Sequence, residues 1–204
     1  ADSNALHLSG TRMPFATLKA STRAIGTDLA VFLIDACRSG GILRTKGATP
    51  TEPFEFVVED ALVAEGTAII TSSAEDEDAQ ESERLEGGIF THHLVAGLLG
   101  AADTSDDARV SLAEAYRYAY TQTLATTSSS SVVQHPTYAF EVKGRKEIVL
   151  TTLDLPSGRG RLELSSAGHY LVFERFGGHE IVAELEARAG TRLSLPHGTY
   201  LVRR

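Results

Sequence analysis

The sequence has one cysteine, one methionine and no tryptophan among its 204 residues. A single cysteine excludes a disulfide framework within the chain and points to a reducing compartment such as the cytoplasm. Cys37 is then either a small buried hydrophobe or a nucleophile. Cations are also scarce: 19 Lys/Arg stand against 27 Asp/Glu, for a formal net charge of -8. The shortage is uneven. Residues 1–143 carry 20 acidic against 10 basic side chains, and residues 144–204 carry 7 against 9. Nucleic acid is a poor partner for such a chain, because phosphate binding needs clustered cations. A basic peptide is a compatible one. No apolar run approaches the roughly 20 residues of a membrane span, and no signal-peptide pattern opens the sequence. What is present is ordinary globular composition, 42% apolar and 23% charged. The length suits one full domain plus a small one.

Residues 29–34 (LAVFLI) and 67–72 (TAIITS) are apolar runs of strand length and read as buried strands, the first covered on both faces. Residues 5–8 and 138–142 alternate like strands. Helical spacing marks residues 14–25, 89–99 and 112–124, with Tyr116 and Tyr120 four apart on one face. Residues 41–60 contain Pro50 and Pro53, lack periodicity and read as a long functional loop. Residues 74–87 form an acidic loop, and 126–131 a Ser/Thr-rich stretch. After about residue 145 the texture changes. Short strands at 148–153, 160–164, 170–173, 181–185 and 199–202 are separated by Gly/Pro/Ser turns. The predicted fold class is α/β. A mainly parallel sheet flanked by helices occupies 1–143, and a small antiparallel β domain occupies 144–204.

The first apolar strand ends in Asp35-Ala36-Cys37-Arg38-Ser39-Gly40-Gly41. That places Cys37 at the carboxyl edge of a sheet, where open α/β sheets bind ligands. Gly40 and Gly41 let a substrate backbone approach closely. The run 31–40 (VFLIDACRSG) resembles the nucleophile strand of caspases and metacaspases. Residues 67–74 (TAIITSSA) resemble the next core strand of that family, and 88–98 (GIFTHHLVAGL) resemble a helix start found in its bacterial members. The similarity covers roughly residues 1–143.

The resemblance implies a cysteine endopeptidase with a caspase-like sheet and a Cys–His dyad. Cys37 is the nucleophile, an imidazole is the general acid/base, and backbone N–H groups hold the oxyanion. The dyad histidine belongs on the strand before the cysteine strand. It is expected just upstream of Ala1, on a preceding segment or a separate chain, so that residues 1–204 read as a C-terminal fragment. His7, His92, His93, His135, His169, His179 and His197 all read as ordinary histidines. Caspases that cut after Asp carry a Gln two residues before the Cys and an Arg beyond the second wall strand. Here Asp35 and Glu81 align with those positions. Both charges are inverted, which implies a pocket for Arg or Lys, lined also by Ser73 and Asp76. Arg44 and Lys46 in the 41–60 loop are then candidate self-cleavage points. The other readings are a non-catalytic caspase-fold binding module and a different Cys–His hydrolase.

A second motif spans residues 103–114 (DTSDDARVSLAE). Asp103, Ser105, Asp107 and Glu114 have EF-hand spacing for Ca²⁺, with Ala108 where that loop needs Gly. Ser111 and Glu114 equally read as a helix capping box. The peptidase reaction itself calls for no cofactor.

Overall fold

The computed structural model describes residues 5–8, 11–36, 65–130, 132–143, 147–153, 158–176 and 180–204. Cys37, the 41–60 loop with Arg44 and Lys46, His179 and the start of the chain at Ala1 lie outside the described residues. In chain order the elements are β1 (Ala5–Leu8), β2 (Thr11–Pro14), α1 (Phe15–Ile25), β3 (Leu29–Ile34), β4 (Glu65–Thr71), β5 (Glu81–Ser82), β6 (Gly87–Gly88) and α2 (Ile89–Ala96). A π-type turn (Gly97–Ala101) continues α2, and β7 (Arg109–Ser111), α3 (Leu112–Thr127) and β8 (Thr137–Lys143) follow. The last strands are β9 (Val149–Thr152), β10 (Arg159–Leu164), β11 (Gly168–Glu174), β12 (Ile181–Ala187), β13 (Thr191–Pro196) and β14 (Tyr200–Arg203). The described residues are thus mixed α/β, with small sheets and few helices.

Two compact units form, one from Ala1–Gln80 with Thr127–Glu147, the other from Glu81–Thr126 with Ile148–Arg204. In the first unit β1 and β2 make an antiparallel pair. Helix α1 ends at Gly26, whose φ of 68° is the left-handed conformation that glycine adopts without steric cost. The principal sheet runs β3-β4-β8. Strands β3 and β4 are parallel, in register from Leu29↔Gly66 to Ile34↔Thr71. Strand β8 is antiparallel to β4. Ile34, Ile69 and Ala139 form a core against which Leu18, Phe32 and Ala36 pack. Each fully buried aliphatic side chain of this size contributes about 1.5–3 kcal/mol.

The two-sided burial expected for β3 is not found. Only Ile34 is buried, and Leu33 is 45% exposed. The reason is position. Strand β3 is an edge of the described sheet, whereas Ala68 and Ile70 on the central β4 are fully buried.

In the second unit β10 pairs with β13, and β12-β11-β14 form a second antiparallel sheet. Alternate side chains of both sheets, among them Leu164, Val172, Leu185 and Leu193, share one core. Ala96 is part of that core, and Leu99 and Tyr118 pack against it. The helical segment 81–126 therefore clusters with the C-terminal strands, and the chain crosses between units after residues 80, 126 and 147. Gly100 has φ of 128°, and a Cβ there would strike the Arg192 carbonyl oxygen, so the turn passes directly against β13.

Candidate active site

Parallel pairing brings the carboxyl ends of β3 and β4 to one edge. Just beyond β3 stand Asp35 and Ala36, and just beyond β4 stand Ser72 and Ser73. The ladder continues past the strands: Ser72 N–H donates to the Ile34 carbonyl at 2.9 Å. Ala36 N–H then donates to Ser72 Oγ at 3.2 Å, and Ser73 Oγ donates to the Ala36 carbonyl at 3.4 Å. Both backbone polar groups of the residue preceding Cys37 are therefore clamped by serine hydroxyls. Ser72 and Ser73 are wholly buried, and Asp35 is exposed. Buried polar groups must be hydrogen-bonded, and here that requirement fixes the backbone of Ala36.

The clamp has its own support. Thr71 Oγ1 lies 2.6 Å from Thr137 Oγ1 across the β4–β8 pair. Gln134 is fully buried. Its Nε2 donates to the Ser72 carbonyl at 2.7 Å, its Oε1 accepts Gln80 N–H at 2.8 Å, and its N–H donates to Thr127 Oγ1 at 3.1 Å. Next to it, both oxygens of Glu77 accept from His135, from the backbone N–H at 2.8 Å and from Nδ1 at 2.6 Å.

Of the residues expected at the substrate pocket, Asp35 and Ser73 meet at this edge. Asp76 lies in the same unit, exposed in the acidic loop. Glu81 is exposed at the start of β5 and belongs to the second unit. Sequence reasoning missed Gln134 as the organiser of the edge. The available signal was weak: an uncharged Gln between a Ser/Thr-rich stretch and β8.

The 103–114 loop closes on Glu114. One carboxylate oxygen accepts Thr104 N–H at 3.1 Å, Thr104 Oγ1 at 3.1 Å and Ser105 N–H at 3.2 Å. The other accepts Ser111 N–H at 3.1 Å and Ser111 Oγ at 2.9 Å. Glu114 N–H returns a bond to Ser111 Oγ at 3.3 Å, completing a capping box at the start of α3. Burial alone would raise the Glu114 pKa, but the bonds from Ser111 and Thr104 outweigh it and hold the carboxyl below its ordinary value. Asp103 Oδ2 accepts Ala108 N–H at 3.1 Å, and Asp107 Oδ1 accepts Arg109 N–H at 2.9 Å. Ala108 takes the left-handed conformation with φ of 61°, at the position where a Ca²⁺ loop uses Gly. The carboxylates of Asp103, Asp107 and Glu114 thus serve as acceptors within the loop. Among the described residues no group of three or more His, Cys, Asp or Glu side chains is placed to hold a metal ion.

The second unit has a charged knot that sequence patterning did not reveal. Glu184 on β12 is only 8% exposed. Its carboxylate accepts from Arg84 Nη2 at 2.9 and 2.7 Å and pairs with His169 Nε2 at 3.0 Å. Its backbone N–H donates to His92 Nε2 at 3.1 Å, which makes that nitrogen an acceptor and leaves the proton of the neutral ring on Nδ1. Burial lowers the His92 pKa; the negative charge of Glu184 opposes that shift and Arg84 reinforces it. His93 is 2% exposed. Its Nε2 lies 2.8 Å from Thr126 Oγ1, and its Nδ1 is buried with no hydrogen-bond partner. Burial first, and then neighbouring His92, push its pKa down to about 4. His92, His93, His135 and His169 are thus all held in structural contacts.

The chain matches no family model, no curated protein and no solved structure.

Proposed function

We propose that this chain belongs to a caspase/metacaspase-type cysteine endopeptidase that cuts after Arg or Lys, with Cys37 as nucleophile. The observation that carries the reading is the clamp on Ala36. A nucleophile needs a fixed backbone, and Ser72 and Ser73 fix the residue before it at the carboxyl edge of a parallel strand pair. The β3-β4-β8 order, with two parallel strands and an antiparallel third, supports the caspase-like sheet.

In the proposed reaction the Cys37 thiol gives its proton to an imidazole, and Sγ attacks the scissile carbonyl carbon. The C–N bond breaks, the leaving amine takes the proton, and water then hydrolyses the thioester. The imidazole comes from a segment upstream of Ala1 or from a separate chain. Strand β3 has an edge that no described strand covers, where a strand carrying it would pair. Asp35 supplies the carboxylate for the basic residue, with Asp76 of the same unit as a further acidic contact. The medium is reducing, as a lone thiol nucleophile requires.

The second reading is a non-catalytic module of the same fold. It is favoured by the histidines themselves, since His92, His93, His135 and His169 are all engaged. Incubation of the full-length protein with a peptidyl-arginine chloromethyl ketone separates the two. A covalent adduct on Cys37, found by peptide mass mapping and absent with the aspartyl analogue, supports the peptidase. An unmodified Cys37 under both reagents supports the module.

A further inference from the structure

The second unit contains a cleft of about 350 Å³. That lies within the range of small-ligand sites, roughly 300–1,000 Å³. Leu98 and Leu99 of the π-type turn line it, with Val95 of α2, which is 44% exposed. Thr151, Thr152 and Leu153 line it in succession. Successive side chains of a strand point to opposite faces. Three in a row therefore mean that the cleft follows the edge of β9 rather than one of its faces.

That edge is open. Among the described residues β9 pairs with β7 alone. Leu153 N–H donates to the Ala108 carbonyl at 2.8 Å, on the β7 side, and Thr152 is the register partner of Arg109. Alternation along the strand turns the N–H and C=O of Thr152 the other way, onto the edge that no described strand covers.

Arg159 gives the cleft its charge. Its Nε donates to Ser194 Oγ at 2.9 Å, and its Nη2 donates to the Ser194 carbonyl. A guanidinium carries five N–H donors. These bonds fix its plane and leave donors for a ligand. A free strand edge recognises extended peptide backbone, and a fixed guanidinium recognises a carboxylate.

We propose that this cleft binds an extended peptide ending in an apolar residue with a free α-carboxylate. The peptide adds as a strand beside Thr152. Its last side chain rests on Leu98, Leu99 and Leu153, and its carboxylate sits on Arg159. The proposal is independent of the peptidase reading, and its test runs on the full-length protein with Cys37→Ala, so that cleavage cannot intervene.

The probes are two pools of fluorescein-labelled hexapeptides, randomised at five positions and ending in Leu, Val, Ile or Phe. One pool has free C-terminal carboxylates and the other C-terminal amides. The immobilised protein is expected to retain the free acids at least tenfold over the amides. Arg159→Gln should remove that preference. Val95→Glu, at an exposed helix position where circular dichroism can verify the fold, should lower retention at least tenfold. Equal retention of acids and amides overturns the proposal. So does failure to retain either pool, and so does an acid preference that survives Arg159→Gln or full binding by Val95→Glu.

Discussion

Ser72 and Ser73 are buried and neutral; Glu184 is buried and carries charge. The serines hold Ala36 at the end of β3, and Glu184, in the middle of β12, ties that strand to Arg84, to His169 of β11 and to His92 of α2. The serine clamp uses hydroxyls that do not titrate in any accessible range, so its geometry is independent of pH. The Glu184 knot relies on His92 as a neutral acceptor and on His169 and Arg84 as donors, so acid reaches it directly. Polar burial that must stay constant is built here from Ser, Thr and Gln, and polar burial open to acid is built from Glu, His and Arg. Hydrogen bonds to charged groups are stronger one by one but cost more when a partner is lost.

Several variants sharpen this contrast, beginning with the largest effect. Gly100→Ala places a Cβ on the Arg192 carbonyl at φ of 128°. It should cost about 4 kcal/mol, seen in urea unfolding, with amide-exchange protection lost from β10 and β13 before β4. Gln134→Ala strikes the other region. It leaves the Ser72 carbonyl and Gln80 N–H without partners, at about 3 kcal/mol, and protection should fall first in β4 and β8. If each variant loosened both regions equally, the contrast would be lost.

The next test is acid. His93 is neutral when folded, with a pKa near 4 against an ordinary 6.5. Protons therefore bind the unfolded chain first. Its contribution to stability is whole above about 6.5 and declines as pH falls toward 4. His92, also depressed by burial, acts in the same direction. Urea midpoints should show a loss of about 2 kcal/mol between pH 6.5 and 5, above the range in which carboxylates titrate. His93→Leu should flatten that slope, and an unchanged slope would remove His93 as its cause. The smallest effect belongs to Glu114→Gln, which replaces a charged acceptor by a neutral one in the capping box. It should cost about 1 kcal/mol and fray the start of α3.

The parts of this architecture that were legible in the sequence are local ones. The apolar runs of β3 and β4, the helical spacing of α1 and the Ser111/Glu114 capping box each follow from a few adjacent residues. Strands β2, β5, β6, β7 and β13 were not anticipated. The first four have only two to four residues, too short for a period to register, and β5 and β6 fall where an acidic loop was read. In β13, Leu193 and Leu195 alternate, but Arg192 and Pro196 mask the pattern. The π-type turn is equally hidden, because the helical spacing read for residues 89–99 runs into it without a break. Unit membership depends on which apolar faces meet. Ala96, Leu99 and Tyr118 join the C-terminal sheets through tertiary packing, which a change in sequence texture near residue 145 does not encode. At the candidate site, the position of Asp35 and Ser73 just past the strand ends was legible, whereas Gln134 acts from more than 60 positions along the chain.

The clamp holds Ala36, the residue before Cys37, and it matters to function only if the Cys37 thiol does chemistry. The direct measurement is kcat/KM of the full-length protein on matched fluorogenic peptides bearing Arg, Lys or Asp before the scissile bond. Hydrolysis after Arg and Lys, abolished by Cys37→Ala and reduced at least tenfold by Asp35→Ala, is the expected result. Cleavage after Asp instead, or turnover that persists without the Cys37 thiol, would contradict it.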